Sequence, residues 1–148
     1  MNKTVFLDLE ETLVESWTDH RLVKKHKVTE FLNLHGREVE LFSFAVYNQD
    51  DVKQFNKELK DFLEGVHNIT FTKVHALDDM VKVVQDFRSM KFESPVEIIS
   101  LFGKTRVFED FCLAQNLKNH KFVLLDDTVE NRTVKYTDKN VELEFVRC

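Results

Sequence analysis

Short, nearly continuous apolar runs alternate along the chain with longer stretches whose apolar residues recur every three to four positions. Residues 4–8 (TVFLD), 39–45 (VELFSFA) and 121–126 (KFVLLD) are apolar on both faces and end in polar residues, as strands buried on both sides of a sheet do. Residues 69–74 (ITFTKV) and 141–146 (VELEFV) alternate, which predicts edge strands. In residues 49–65, Val52, Phe55, Leu59, Phe62 and Leu63 share one helical face, with Asp50 placed to cap the start and Gly65 the end. Met80, Val84 and Phe87 do the same behind Asp78, and Val107, Phe108, Phe111 and Cys112 lie on one side of residues 104–117. A further helix over residues 27–36 (KVTEFLNLHG) joins the first two strands. Residues 93–102 (ESPVEIISLF) read two ways. Their apolar run suits a strand, whereas Ser94 and Glu97 stand at capping-box spacing with Pro95 at the first helical position, which favours a helix. Five strands alternating with helices predict an α/β fold with a mainly parallel sheet.

Three Gly and one Pro in the chain leave little for tight-turned β-sandwiches or Gly-rich phosphate loops, both of which need residues that tolerate positive φ. Gly36, Gly65 and Gly103 each follow a predicted helix, and Pro95 begins one. With 148 residues and no linker-like stretch, residues 1–148 are expected to form a single domain. A net charge of −5 argues against a protein that coats nucleic acid by neutralising phosphates. Cys112 and Cys148 are too few for a disulfide framework, and the six histidines show no metal-binding spacing. The opening residues lack the apolar core of a signal peptide and no run has the length of a membrane span, so an intracellular, cytoplasmic protein is expected.

In open parallel sheets, ligands bind beyond the carboxyl ends of the strands. The first run here ends in Asp8-Leu9-Glu10-Glu11-Thr12, the second contains Ser43, and the run at residues 121–126 leads into Asp126-Asp127-Thr128. Carboxylates from two strands meeting at one rim need a cation between them, which implies a hard divalent ion, Mg2+. Taken singly, Ser43 also reads as a buried hydroxyl, Lys104 as a solvated residue at a helix start, and Asp126-Asp127 as a turn or helix cap.

VFLDLEETLV resembles the first motif of the haloacid dehalogenase (HAD) superfamily, an apolar strand followed by Asp-x-Asp-x-Thr, in a form closest to its carboxy-terminal-domain phosphatase branch. ELFSFA is similar to the second motif, Lys104 stands 22 residues before Asp126 where the third motif's lysine falls, and VLLDDTVEN is similar to the fourth. The resemblance implies a three-layer α/β/α Rossmann-like fold and a Mg2+-dependent phosphomonoesterase. Asp8 would be the nucleophile that forms an aspartyl-phosphate, Glu10 the acid and then the base, and Ser43 and Lys104 the phosphate-binding groups. Asp8, residue 10 through its carbonyl, Asp126 and Asp127 would hold the metal. The departure is Glu10, where the superfamily's phosphatases have Asp. One added methylene displaces the carboxyl by about 1 Å, a shift that can cost on the order of a hundredfold in rate.

Only 30 residues lie between Thr12 and Ser43, too few for a cap domain beside a crossover helix. A capless site, open to phosphate on a large or polymeric carrier, is expected. A flap over residues 14–27 gathers Trp17, Arg21, Lys24, Lys25 and Lys27, a patch suited to nucleic acid through charge and base stacking, or else an ordinary solvated helix face. The patch favours a nucleic-acid end or a nucleotide phosphate as substrate, and the branch resemblance favours a phosphoprotein. The alternative is a catalytically weakened HAD-like binding or regulatory protein that keeps the metal and phosphate site.

Overall fold

The computed structural model describes residues 1–148. Its strands β1 (Asn2–Leu7), β2 (Glu38–Phe42), β3 (Thr70–His75), β4 (His120–Asp126), β5 (Arg132–Tyr136) and β6 (Val141–Arg147) form one sheet in the order β3-β2-β1-β4-β6-β5. Every neighbouring pair is parallel except β5 with β6. The helices are α1 (Lys25–His35), α2 (Gln49–Glu58), α3 (Lys60–His67), α4 (Leu77–Arg88) and α5 (Pro95–Leu113). No helix is long and apolar enough to cross a membrane.

Strand alternation sorts the apolar side chains into two cores, one on each face. Val5, Leu7, Val39, Leu41, Val123 and Leu125 point to the side covered by α1, α2 and α3, where they meet Val28, Leu32, Phe55 and Leu63. Phe6, Phe42, Phe122 and Leu124 point the other way, onto Met80 and Val84 of α4 and Val107, Phe108 and Phe111 of α5. Phe108 sits edge-on to both Phe6 and Phe42, with ring centroids 5.0 and 5.2 Å apart, a favoured aromatic geometry. The sheet is thus the middle of three layers. The chain winds outward from β1 through β2 and β3, then returns to place β4 on the other side of β1. That reversal opens a crevice at the carboxyl ends of β1, β2 and β4.

The sheet has six strands, not five. β5 (RTVKY) has no fully buried residue and only Val134 and Tyr136 packed at the edge of a core, a weak apolar signal, and it pairs with β6 from Arg132↔Phe145 to Tyr136↔Val141. β6 is therefore internal. Its alternation arises because Val141, Leu143 and Phe145 enter a core while Glu142 and Glu144, on the opposite face, pair with Lys121. Residues 49–65 form two helices, broken at Leu59 (φ −123°, ψ −31°), and Phe62 lies exposed between the buried Leu59 and Leu63. Asn48 caps α2 in place of Asp50, accepting the Asp51 N–H at 3.0 Å. Gly65 lies within α3, which closes instead on left-handed Asn68. α4 begins after extended Ala76, without a side-chain cap from Asp78, and Phe87 is exposed. Residues 95–102 are helical, as Pro95 favours, but Ser94 makes no cap bond and the Glu97 carboxylate accepts the N–H of Glu93. Gly103 (φ 72°, ψ 169°) interrupts α5 and Lys104 restarts it.

Candidate active site

The turn after β1 is built by three wholly buried side chains, Leu9, Leu13 and Val14, which anchor it to the core. The N–H groups of Leu13 and Val14 both donate to the Leu9 carbonyl, at 2.9 and 3.2 Å, and Glu11 takes a left-handed conformation (φ 61°) to close the loop. A non-glycine residue there is strained, a feature concentrated at functional sites. With 9, 13 and 14 pointing inward, Asp8, Glu10 and Glu11 face the crevice, and Thr12 lies fully buried beneath it.

Carboxylate oxygens of Asp8, Asp126 and Asp127 all lie within 4.8 Å of one another. Asp8 and Asp126 extend from adjacent strands in register, with Leu7 opposite Leu125. The Lys104 ammonium, whose side chain is only 12% exposed, bridges them, 2.8 Å from Asp8 Oδ1 and in an ion pair with Asp126 Oδ2. Gly103 makes this reach possible by turning the chain between the two halves of α5. The Thr12 hydroxyl donates to Asp8 Oδ2 at 3.2 Å and accepts the Asp127 N–H at 3.2 Å, tying the first turn to the second. Asp126 Oδ1 accepts the N–H and hydroxyl of Thr128, at 2.8 and 2.7 Å, which fixes the carboxylate's direction. Ser43 is buried just beyond β2, and its Oγ accepts the Ala45 N–H at 3.2 Å.

Burial dominates the electrostatics. It pushes the Asp8 carboxyl up from 3.8 to about 6, partly offset by Lys104 and Ser43 and reinforced by Asp126. Asp127 is raised by burial first and Asp126 second. Burial also works against the Lys104 charge, but Asp8 and Asp126 together outweigh it and hold the ammonium above its ordinary range. Three carboxylates against one ammonium leave an excess of negative charge around oxygen-only donors, a set that fits a hard divalent cation.

Asp8, Glu10, Ser43, Lys104 and Asp127 line one cavity of about 350 Å³ together with Glu11, Phe44, Ala45, Ile99 and Thr128, while Asp126 lies fully buried beneath. The flap is a small hairpin in which Val14 bridges Leu22; Lys25 and Lys27 belong to α1. None of Trp17, Arg21, Lys24, Lys25 and Lys27 lines the cavity. Arg21 is paired with Asp19 at 2.7 Å, and Lys24 donates to the Cys148 carbonyl at 3.2 Å. Trp17 is part-buried, its indole N–H donating to the Ala45 carbonyl at 2.7 Å and its backbone N–H to Glu10 Oε2 at 3.0 Å. Through these two bonds it braces the site.

Thr12 and Thr128 stand inside the segments that the sequence marks but are given no role there, and Phe44 and Ile99 stand in predicted elements and are not marked as site residues. Thr12, four residues after Asp8, and Thr128, two after Asp126, carry a local signal, since side chains at such offsets bond back to a turn. Phe44 and Ile99 come from separate elements and carry none. Comparison of the chain with protein-family models, curated proteins and solved structures found no match.

Proposed function

We propose that the protein is a Mg2+-dependent phosphomonoesterase of the HAD type, with a Rossmann-like three-layer core and no large cap. The observation that carries this reading is the meeting of Asp8, Asp126 and Asp127 within 4.8 Å, bridged by Lys104, at the crevice where strand order reverses. Asp8 attacks phosphorus, the ester oxygen leaves with a proton from Glu10, and water activated by Glu10 then frees the phosphate from Asp8. Lys104 offers positive charge to the phosphoryl oxygens and Ser43 a hydroxyl donor. Mg2+ held by Asp8, the Glu10 carbonyl, Asp126 and Asp127 would supply the charge that lets a carboxylate approach a phosphate dianion. Purified protein should release phosphate from an aryl phosphate only with Mg2+, and Asp8→Asn should abolish release.

A second reading, a binding or regulatory protein that retains the site, is favoured by one observation: the Glu10 carboxylate is already held by the Trp17 N–H. Binding of Mg2+ and a phosphate mimic without turnover of any ester would select it.

A further inference from the structure

The cavity over Asp8 is lined by residues of two kinds, the carboxylates Glu10, Glu11 and Asp127 and the apolar Phe44, Ala45 and Ile99. The apolar lining continues outward, because Val96, one helical turn before Ile99, is 61% exposed. Phe44 is only half-buried at the edge of its core, its ring centroid 6.5 Å from that of Phe42 and 5.3 Å from the Lys104 ammonium. Phe44, Ala45 and Ile99 form the apolar part of an otherwise polar lining, where an apolar group of a ligand would be seated. The carboxylates have the opposite effect on polyanions. A second phosphate beside the first would meet the Glu11 carboxylate, and none of the basic residues 21–27 is in the lining to hold it.

We infer that the site takes phosphate monoesters carrying a single phosphoryl group on an apolar leaving group, aromatic or branched aliphatic, seated against Phe44 and Ile99, and that it discriminates against nucleotides and oligonucleotide ends. This rests on the phosphomonoesterase reading, and it assigns Phe44 and Ile99 as the residues that set specificity. It departs from the nucleic-acid preference that the basic patch suggests in sequence.

The test compares kcat/KM, with Mg2+, for 2-phenylethyl phosphate, glycerol 3-phosphate, a nucleoside 5′-monophosphate and a 5′-phosphorylated oligonucleotide. All are esters of aliphatic alcohols, so differences among them report chiefly on contacts with the leaving group. The phenylethyl ester should lead by roughly 10- to 100-fold, the range that one apolar group in a pocket supplies. Phe44→Ser and Ile99→Ser should each cut that ratio by about fivefold or more. A parallel arm measures the Kd values of 2-phenylethylphosphonate and methylphosphonate calorimetrically, which needs no turnover. Turnover with equal kcat/KM values, or with the nucleotide or oligonucleotide ahead, overturns the substrate assignment and leaves the phosphatase reading standing. No turnover of any ester, with the phenylethylphosphonate bound more tightly, sinks the phosphatase reading and supports the apolar lining as the seat. No turnover and no preference between phosphonates overturns both.

Discussion

The carboxylate of Glu10 accepts the backbone N–H of Trp17 at 3.0 Å, and the indole N–H of the same Trp17 reaches the Ala45 carbonyl at 2.7 Å. One side chain therefore straps the turn after β1 to the loop after β2, the two segments that carry Asp8 and Ser43. On the phosphatase reading proposed above, Glu10 is therefore both the proton-transfer group and an anchor of this strap.

Glu10→Asp should therefore lower turnover by about tenfold, since the shorter carboxylate loses its anchor and a misplacement of about 1 Å is enough for such a loss. Trp17 is the only tryptophan, so its emission reports directly on the strap and should change in the same variant. Steady-state kinetics beside fluorescence spectra checks both; a gain in turnover would mean that Glu10 limits the wild type.

Asp8→Asn should abolish turnover yet stabilise the metal-free protein at neutral pH. The Asp8 carboxyl is raised from 3.8 to about 6, chiefly by burial. Between those values the unfolded chain has released the proton and the folded chain still holds it, so the Asp8 contribution to stability falls as pH rises from about 4 to about 6 and stays low above. Removing the ionisation should return about 1–3 kcal/mol at pH 7 and nothing below pH 4. Urea unfolding in chelator at several pH values measures this. Adding Mg2+ should narrow or reverse the difference, because the variant lacks one of the three carboxylates that would hold the ion.

Lys104→Met removes the ammonium that bridges Asp8 and Asp126. Breaking a buried pair from one side leaves uncompensated charge, a loss of about 3 kcal/mol. Magnesium should recover more stability in this variant than in the wild type, because it would replace the missing positive charge. Denaturation midpoints with and without Mg2+ test the idea; equal responses would mean that Lys104 and the metal do not share those carboxylates.

The carboxylate cluster was legible because β1 and β4 are continuous apolar runs, so Asp8 and Asp126-Asp127 stand out as the first polar residues after buried strands. Lys104 and Ser43 were readable by their order in the chain, although their convergence depends on Gly103 turning α5 and on β2 ending at Phe42. What escaped is long-range or weakly patterned. β5 has no fully buried residue and is held by its ladder to β6 and by the edge packing of Val134 and Tyr136. The break at Leu59 leaves the apolar spacing of residues 49–65 almost unaltered. Trp17 looked like a free aromatic beside basic residues because its partners, Glu10 and Ala45, lie 7 and 28 positions away.

His67 supplies an acid sensitivity independent of the site. It is buried at the end of α3, and neither ring nitrogen has a hydrogen-bond partner. Burial, with Lys25 and Arg37 adding to it, holds its pKa below the ordinary 6.5. Above pH 6.5 the ring is neutral in both states and contributes no pH dependence. Below it, the unfolded chain takes up a proton that the folded chain resists, so stability is lost as pH falls. His67→Leu keeps an apolar group in the space and removes the titration. It should be more acid-resistant than the wild type, by up to about 1 kcal/mol near pH 5.5 relative to pH 7.5. His35 and His120, also lowered by burial, should leave the variant with a residual slope of the same sign. Urea midpoints at the two pH values decide it: parallel losses in both proteins would mean that His67 finds a partner or solvent when protonated.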